Sequence, residues 1–97
     1  MLNNKHARKK NEMEFNTLAS NIGKNIKYYR KQLGLSQSQA CKKVSCDKRF
    51  YQRIEAGKAG LTLRTLLKIS LALGMPICEL FKMDIIESEN QSEKNDS

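Results

Sequence analysis

The sequence is poor in the residues that most catalytic and metal sites need. Its 97 residues contain one histidine, His6, and three cysteines, and only three acidic residues lie between positions 18 and 83. No paired groups for general acid–base chemistry are therefore available, which argues against a nuclease or another enzyme. The four-residue gap between Cys41 and Cys46 fits no usual zinc spacing. We expect reduced core thiols, Cys78 included, and neither metal nor cofactor.

Long apolar runs are absent as well. No stretch approaches the roughly 18 to 20 apolar residues of a transmembrane helix, and the polar N-terminus lacks the apolar core of a signal peptide. We expect a soluble, cytoplasmic protein with no membrane partner. A chain of 97 residues supports one compact domain, because a second independent core would be too small.

Acidic charge is scarce where the apolar residues are concentrated. Residues 18–83 hold thirteen Lys and Arg against three acids, a net charge of +10, within a chain whose total is +8. Such a surface attracts polyanions, with nucleic acid the commonest partner and an anionic membrane surface the second.

Helical periodicity accounts for most of the chain. Apolar residues from Phe15 to Leu33 share one helical face, and Gly34 follows as a stop. Ser36, Asp47 and Thr62 are N-cap candidates for three further helices. Pro76 suits the first turn of a fifth helix that ends near Met83.

The helical pattern predicts an all-α domain of five helices, with the second ending near Val44, the third spanning Lys48 to Glu55 and the fourth closed by Gly74. The fourth is apolar on so many sides that we expect it to be largely buried. The predicted divisions are a basic flexible segment over 1–14, the folded domain over 15–83, and an acidic disordered tail over 84–97.

The third helix has two distinct faces. At 100° per residue, Lys48, Gln52, Arg49 and Arg53 lie on one side, whereas Phe50, Tyr51 and Ile54 lie on the other. In the major groove, Arg and Lys side chains can donate hydrogen bonds to guanine O6 and N7, and Gln can pair with adenine. A charged helix face is often only solvated, but two short helices joined by a tight turn can place the second in that groove.

The surrounding motifs strengthen the DNA-binding interpretation. Residues 34–75 carry Leu35-Ser36-Gln37 at the start of the second helix and Ile54-Glu55-Ala56-Gly57 after the third. This pattern resembles the phage-repressor and Cro-like XRE family of helix-turn-helix proteins, and the resemblance reaches back to Ile22. It implies a lambda-repressor-like DNA-binding domain that regulates transcription.

The resemblance also implies residue roles. Lys48, Arg49 and Arg53, with Gln52 beside them, match the base-reading positions. Gln37, Lys58 and Arg64 match phosphate-contacting positions. The family's glutamine at the position of Gln37 also braces the recognition helix, which corresponds here to the third helix. For Gln37, the alternative to a phosphate contact is that it is simply a polar residue in the first turn of its helix. For Arg64, the alternative is a solvated side chain that does not contact DNA. Arg30 and Glu55 match a structural ion pair.

Three residues depart from the family pattern, namely Ala40, Cys41 and Ser45. Ser45 stands where the turn between the two helices normally has glycine. A left-handed backbone is costly for a residue with a side chain, so the sequence predicts that this turn adopts a different local geometry.

A single recognition helix reads only a few base pairs, so we expect a homodimer on an inverted repeat in double-stranded DNA. The predicted dimer surface is the fifth helix and the residues after it, with an ordinary core role as the alternative; its members are Met75, Cys78, Met83, Ile85 and Ile86. An antitoxin-type module that covers a protein partner, with DNA binding secondary, is the second functional hypothesis.

Overall fold

Four α-helices and one short 3₁₀ helix form the part of the chain that the structure describes. The computed structural model describes residues 4–83, with side chains from residue 11 onward. The elements are α1 (Asn4–Gln32), α2 (Gln37–Val44), α3 (Lys48–Glu55), α4 (Leu63–Leu73) and the 3₁₀ helix η1 (Ile77–Phe81). No strand occurs between residues 4 and 83. The predicted all-α class is confirmed.

The predicted caps lie where the helices begin. Gln39 N donates to Ser36 Oγ at 3.1 Å, and Ser36 N donates to Gln39 Oε1 at 2.8 Å, which completes a capping box at α2. Asp47 and Thr62 cap α3 and α4 through their side chains. Local sequence therefore fixes where three of the helices start.

The two ends of the domain differ from the predicted boundaries. Helix α1 begins at Asn4 rather than near Phe15, so the segment 4–14 is helical, while its predicted flexibility remains a prediction. The fifth helix is a 3₁₀ helix that ends at Phe81, because Lys82 is already extended at φ −61° and ψ 132°. The predicted acidic tail, residues 84–97, lies outside the described residues.

The core lies where α1 and α2 pack against α3, α4 and η1. Its largest fully buried side chains come from all five elements: Ile26, Val44, Tyr51, Ile54, Ile69 and Leu80. Asn25 fastens η1 to α1, because its side-chain amide donates to the carbonyl oxygens of Leu80 at 2.9 Å and Lys82 at 2.7 Å. The end of the domain is thus held on the first helix.

Helix α4 corrects one expectation, since it is buried on one side only. Leu66, Ile69 and Leu73 face the core, whereas Leu63, Leu67 and Leu71 are 75%, 49% and 72% exposed. The exposed leucines recur every four residues and therefore form one stripe along the helix. The neighbouring elements cover only the opposite side.

Other predicted inward positions also differ. Phe15, Leu18 and Leu33, which share the apolar side of the first helical pattern, are exposed. Met75, predicted to belong to the dimer surface, is buried in the core. Cys41 is buried and Cys46 half-buried, but Cys78 is exposed rather than a core thiol.

Candidate DNA-binding surface

The turn between α2 and α3 is left-handed at Ser45, with φ 63° and ψ 51°. Ser45 N donates to Lys42 O at 3.1 Å, and Cys46 N donates to Cys41 O at 3.2 Å. These two bonds close the helix end in the manner usual for a glycine. The expectation of a different geometry was wrong: the carbonyls at the end of α2 gain donors that help to offset the strain.

Helix α3 presents its predicted polar face to solvent. Lys48, Arg49, Gln52 and Arg53 are all exposed, whereas Tyr51 and Ile54 are buried and Phe50 is half-buried. The Asp47 carboxylate accepts from Arg49 N at 3.0 Å and Phe50 N at 3.2 Å, which fixes the first turn of the helix. We call the four exposed residues, Lys48, Arg49, Gln52 and Arg53, the reading face.

A buried polar cluster holds the other end of α3. Arg30 Nε lies 2.6 Å from Glu55 Oε2, and the guanidinium also donates to Leu35 O at 2.8 Å. Gln37 Nε2 donates to Glu55 Oε1 at 3.0 Å. The structure therefore brings α1, the start of α2 and the end of α3 together at one carboxylate.

The electrostatics of Glu55 follow from these contacts. Burial favours the neutral acid, but the hydrogen bonds from Arg30 and Gln37 outweigh it and hold the pKa of Glu55 below its ordinary value. Burial is the largest cause of the raised pKa of Tyr51, and the neighbouring Glu55 carboxylate raises that pKa further. The Tyr51 hydroxyl meets no hydrogen-bond partner of ordinary geometry among the described residues. Glu55 is thus an ionised anchor behind the reading face.

The loop after α3 continues the basic surface. Arg53 Nη2 donates to Lys58 O at 2.6 Å, so a reading-face side chain fixes the backbone of the predicted phosphate-contacting loop. Lys58 is exposed beyond this bond, and Arg64 is exposed in the first turn of α4. The predicted base-reading and phosphate-contacting groups therefore occupy consecutive elements.

Sequence reasoning missed the close approach of α1 to α3. A Cβ atom at Gly23 would lie 2.6 Å from the carbonyl oxygens of both Ile54 and Glu55. Such a distance excludes any larger residue unless one helix moves. A glycine inside a strongly helical pattern was the available signal, because it costs helix stability and usually has a packing reason.

Neither a metal site nor a membrane span occurs within the described residues. No group of His, Cys, Asp and Glu there is placed to hold a metal ion. In the same part of the chain, no helix has the length and apolar character needed to cross a membrane.

Comparison with known families agrees with this geometry. The model of the HTH_3 helix-turn-helix family matches residues 26–80, which is more than half of the chain and includes α2, α3 and α4. The chain belongs to this family.

Individual relatives are restriction and transcription regulators. The chain is 36% identical to the control protein C.MunI of Mycoplasma sp over 67 residues, covering 68% of this chain and 90% of that protein. The restriction-modification controller protein C.AhdI of Aeromonas hydrophila has a similar structure, with a TM-score of 0.63, 27% identity, and coverage of 65% of this chain and 96% of that one.

A larger regulator shares the same domain. The HTH_3 family transcriptional regulator of Vibrio cholerae matches with a TM-score of 0.65 and 28% identity, over 69% of this chain and 38% of that one. The chain thus corresponds to part of that regulator and to nearly all of C.AhdI.

Proposed function

We propose that this helix-turn-helix transcription regulator reads an inverted repeat in double-stranded DNA as a homodimer. The observation that carries the proposal is the reading face, whose four exposed polar side chains stand on a helix capped at one end and anchored at the other. A rigidly held helix orders fewer groups on binding, which favours specific recognition.

The proposed contacts divide into two groups. Lys48, Arg49 and Arg53 donate to guanine O6 and N7 in the major groove, and Gln52 pairs with adenine. A second set approaches phosphates and positions the protein without reading sequence, namely Gln37, Lys58 and Arg64. For Gln37, the bond to Glu55 leaves one amide hydrogen and the carbonyl oxygen available.

The relatives indicate the kind of regulation. C.MunI is a control protein and C.AhdI a restriction-modification controller, and the present chain covers at least 90% of each. We propose that this chain is likewise an autoregulated controller or repressor that acts in the cytoplasm without a catalytic role. Expression would then change with the concentration of the protein itself.

Selection from random duplex DNA tests the proposal. The full chain, immobilised and challenged at physiological salt, should enrich a palindrome with half-sites about one DNA turn apart. Binding that remains weak, salt-sensitive and independent of sequence after repeated rounds would refute specific recognition.

Substitutions separate the two proposed groups. Arg49→Ala should cost about 1–3 kcal/mol on the selected site and little on random duplex, because it removes a base contact. Lys58→Ala should weaken binding to both and reduce the salt slope by about one. Lys82→Ala is a charge-matched control, since this exposed lysine pairs with Glu79 of η1 at 3.1 Å. Equal losses for Arg49 and Lys58 on every sequence would contradict the assignment.

A further inference from the structure

A second exposed surface is apolar rather than charged. Large apolar side chains that are 36–75% exposed project from α1, α4 and the η1 region. We call eight of these side chains the apolar face: Met13, Phe15, Leu18, Leu63, Leu67, Leu71, Phe81 and Met83. Their exposure means that the fold does not use them fully, although exposing them to water costs free energy.

Two adjoining grooves make most of this set one continuous surface. Phe15, Leu18, Leu63 and Phe81 line a groove of about 220 Å³ between α1, α4 and η1. Met13, Leu18 and Met83, together with the polar residues Glu14 and Thr17, line a second groove of about 380 Å³. Leu18 belongs to both, and the leucine stripe of α4 continues the surface through Leu67 and Leu71.

Part of the apolar face is built by a segment outside the family match. That match begins at residue 26, whereas Met13, Phe15 and Leu18 lie on the earlier turns of α1. Phe15 and Leu18 line the first groove together with the core residues Ile22 and Leu66, but they remain 52% and 36% exposed, so packing within one copy covers them only in part. We call residues 11–18 the α1 extension.

The size of the apolar face suits a protein interface. At about 200 Å² for a fully exposed large apolar residue, the eight side chains present roughly 800 Å². One partner in a standard protein interface buries about 800 Å², whereas scattered exposed apolar residues on a monomer form smaller patches. The face is large enough for one side of a stable dimer.

A second copy matches this surface better than the rest of the same chain does. Residues 84–97 contain only two large apolar residues, Ile85 and Ile86, which cannot cover eight exposed side chains. A second copy supplies an equal apolar area, as a two-fold symmetric interface requires. The reading face lies on α3, which contributes no residue to the apolar face, so neither reading face would be consumed by the contact.

We infer that the apolar face is the self-association surface of this protein, and that the α1 extension and the leucine stripe of α4 are both buried when two copies join. This inference rests on the proposed function, because it supplies the dimer that would read the inverted repeat. Of the interface predicted on the fifth helix and the residues after it, Met75 is buried and Met83 belongs to the apolar face, to which α1 and α4 contribute further residues.

Sedimentation equilibrium of the full chain over a series of concentrations tests the inference. Wild type should form a dimer, and Leu67→Glu or Phe15→Glu should raise the dimer dissociation constant at least tenfold, because each places a carboxylate inside the contact. Leu33→Glu is a matched control: Leu33 is 50% exposed and Leu67 49%, but Leu33 lies outside the apolar face. Circular dichroism should show that all three variants fold.

The outcomes distinguish this inference from the proposed function. A monomeric wild type, or variants at positions 15 and 67 that dimerise like wild type, would overturn the inference even if a palindrome is selected. Conversely, dimerisation that depends on these two positions supports the inference even if no DNA sequence is enriched. Arg49→Ala should leave the dimer dissociation constant unchanged, since it alters only the reading face.

Discussion

The reading face and the apolar face are both exposed, but they are supported in different ways. Behind the reading face, Glu55 joins hydrogen bonds from Arg30 and Gln37, and Asp47 fixes the first turn of α3. The apolar face projects from α1, α4 and η1, with its leucines opposite the buried side of α4. Base recognition needs donors at fixed positions, whereas apolar association needs mainly area and shape.

The two faces should therefore respond differently to mutation. Damage to the supports of the reading face should lower the stability of the domain, because those supports are buried polar groups and close helix contacts. Loss of an apolar-face side chain should leave the monomer almost unchanged, since that side chain is already in water. The expected effects on stability therefore range from a strong loss, through a small gain at Ser45, to almost none.

Glu55→Ala should cause the largest effect. It leaves the Arg30 guanidinium buried without its anion, and breaking such a pair costs about 3–5 kcal/mol. Urea unfolding would measure the loss. Glu79→Ala is the control, because Glu79 pairs with Lys82 and accepts a hydrogen bond from the Tyr29 hydroxyl, but its side chain is much more exposed than that of Glu55. If Glu55→Ala lost no more stability than Glu79→Ala, the buried contacts behind the reading face would not stabilise the domain more than an exposed ion pair does.

Acid should reproduce part of that effect. The pKa of Glu55 is lowered in the folded state, so its contribution is present above the unfolded value of about 4.3 and is lost as the pH falls through the folded value. Stability should therefore decline below about pH 4. In Glu55→Gln this decline should be shallower, as followed by urea unfolding at several pH values; an unchanged slope would exclude Glu55 as its source.

Gly23→Ala should destabilise the domain by about 1–3 kcal/mol, the usual cost of overpacking. The new methyl group would meet the carbonyl oxygens of Ile54 and Glu55 at 2.6 Å and push α3 away from α1. Gly60→Ala serves as the control, because nothing lies within 4 Å of its added Cβ. Thermal unfolding should give a lower midpoint for Gly23→Ala than for Gly60→Ala. Equal midpoints would mean that α1 can move away from α3 at little cost in stability.

Ser45→Gly should stabilise the domain by about 1 kcal/mol, because glycine adopts the left-handed turn without the cost that a side chain imposes. Ser45→Ala should give no such gain. The comparison requires only urea unfolding of both variants. A loss of stability with glycine would show that the Ser45 side chain contributes more than its backbone strain costs.

Leu63→Gln and Leu71→Gln should have the smallest effect, within about 0.5 kcal/mol for the monomer. Both leucines are more than 70% exposed. Unfolding should be measured on dilute protein, where dissociation of any dimer has already occurred. A loss above 1 kcal/mol at that dilution would indicate that these leucines pack within their own copy.

Sequence reasoning succeeded where structure is set locally. The caps at Ser36, Asp47 and Thr62 and the two faces of α3 depend on spacing alone, and the structure agrees with each of them. The ion pair of Arg30 with Glu55 was implied by the family resemblance rather than by spacing. Their contact depends on how α1 crosses α3, which periodicity does not specify.

The features that the sequence did not predict depend on packing between elements and on hydrogen bonds with neighbouring residues. Burial of α4 was overestimated because the apolar content of a helix does not reveal how many elements pack against it. The turn at Ser45 was misjudged because the hydrogen bonds that help to offset its strain come from residues on both sides. The length of α1 was missed because few apolar residues mark its first turns. The roles assigned to individual DNA-contacting residues remain predictions.

The bond from Arg53 to the Lys58 carbonyl has a consequence for how DNA preference can diverge among proteins of this fold. Within the described residues, Lys48, Arg49 and Gln52 make no side-chain hydrogen bond, so mutation can exchange them with little effect on the rest of the domain. Arg53 differs, because replacing it removes one of the bonds that hold the loop at Lys58, where the backbone bond from Lys58 N to Arg53 O at 2.9 Å remains. Under the proposed function, exchange at three of the four positions would change only exposed side chains, whereas exchange at the fourth would also remove a contact with that loop.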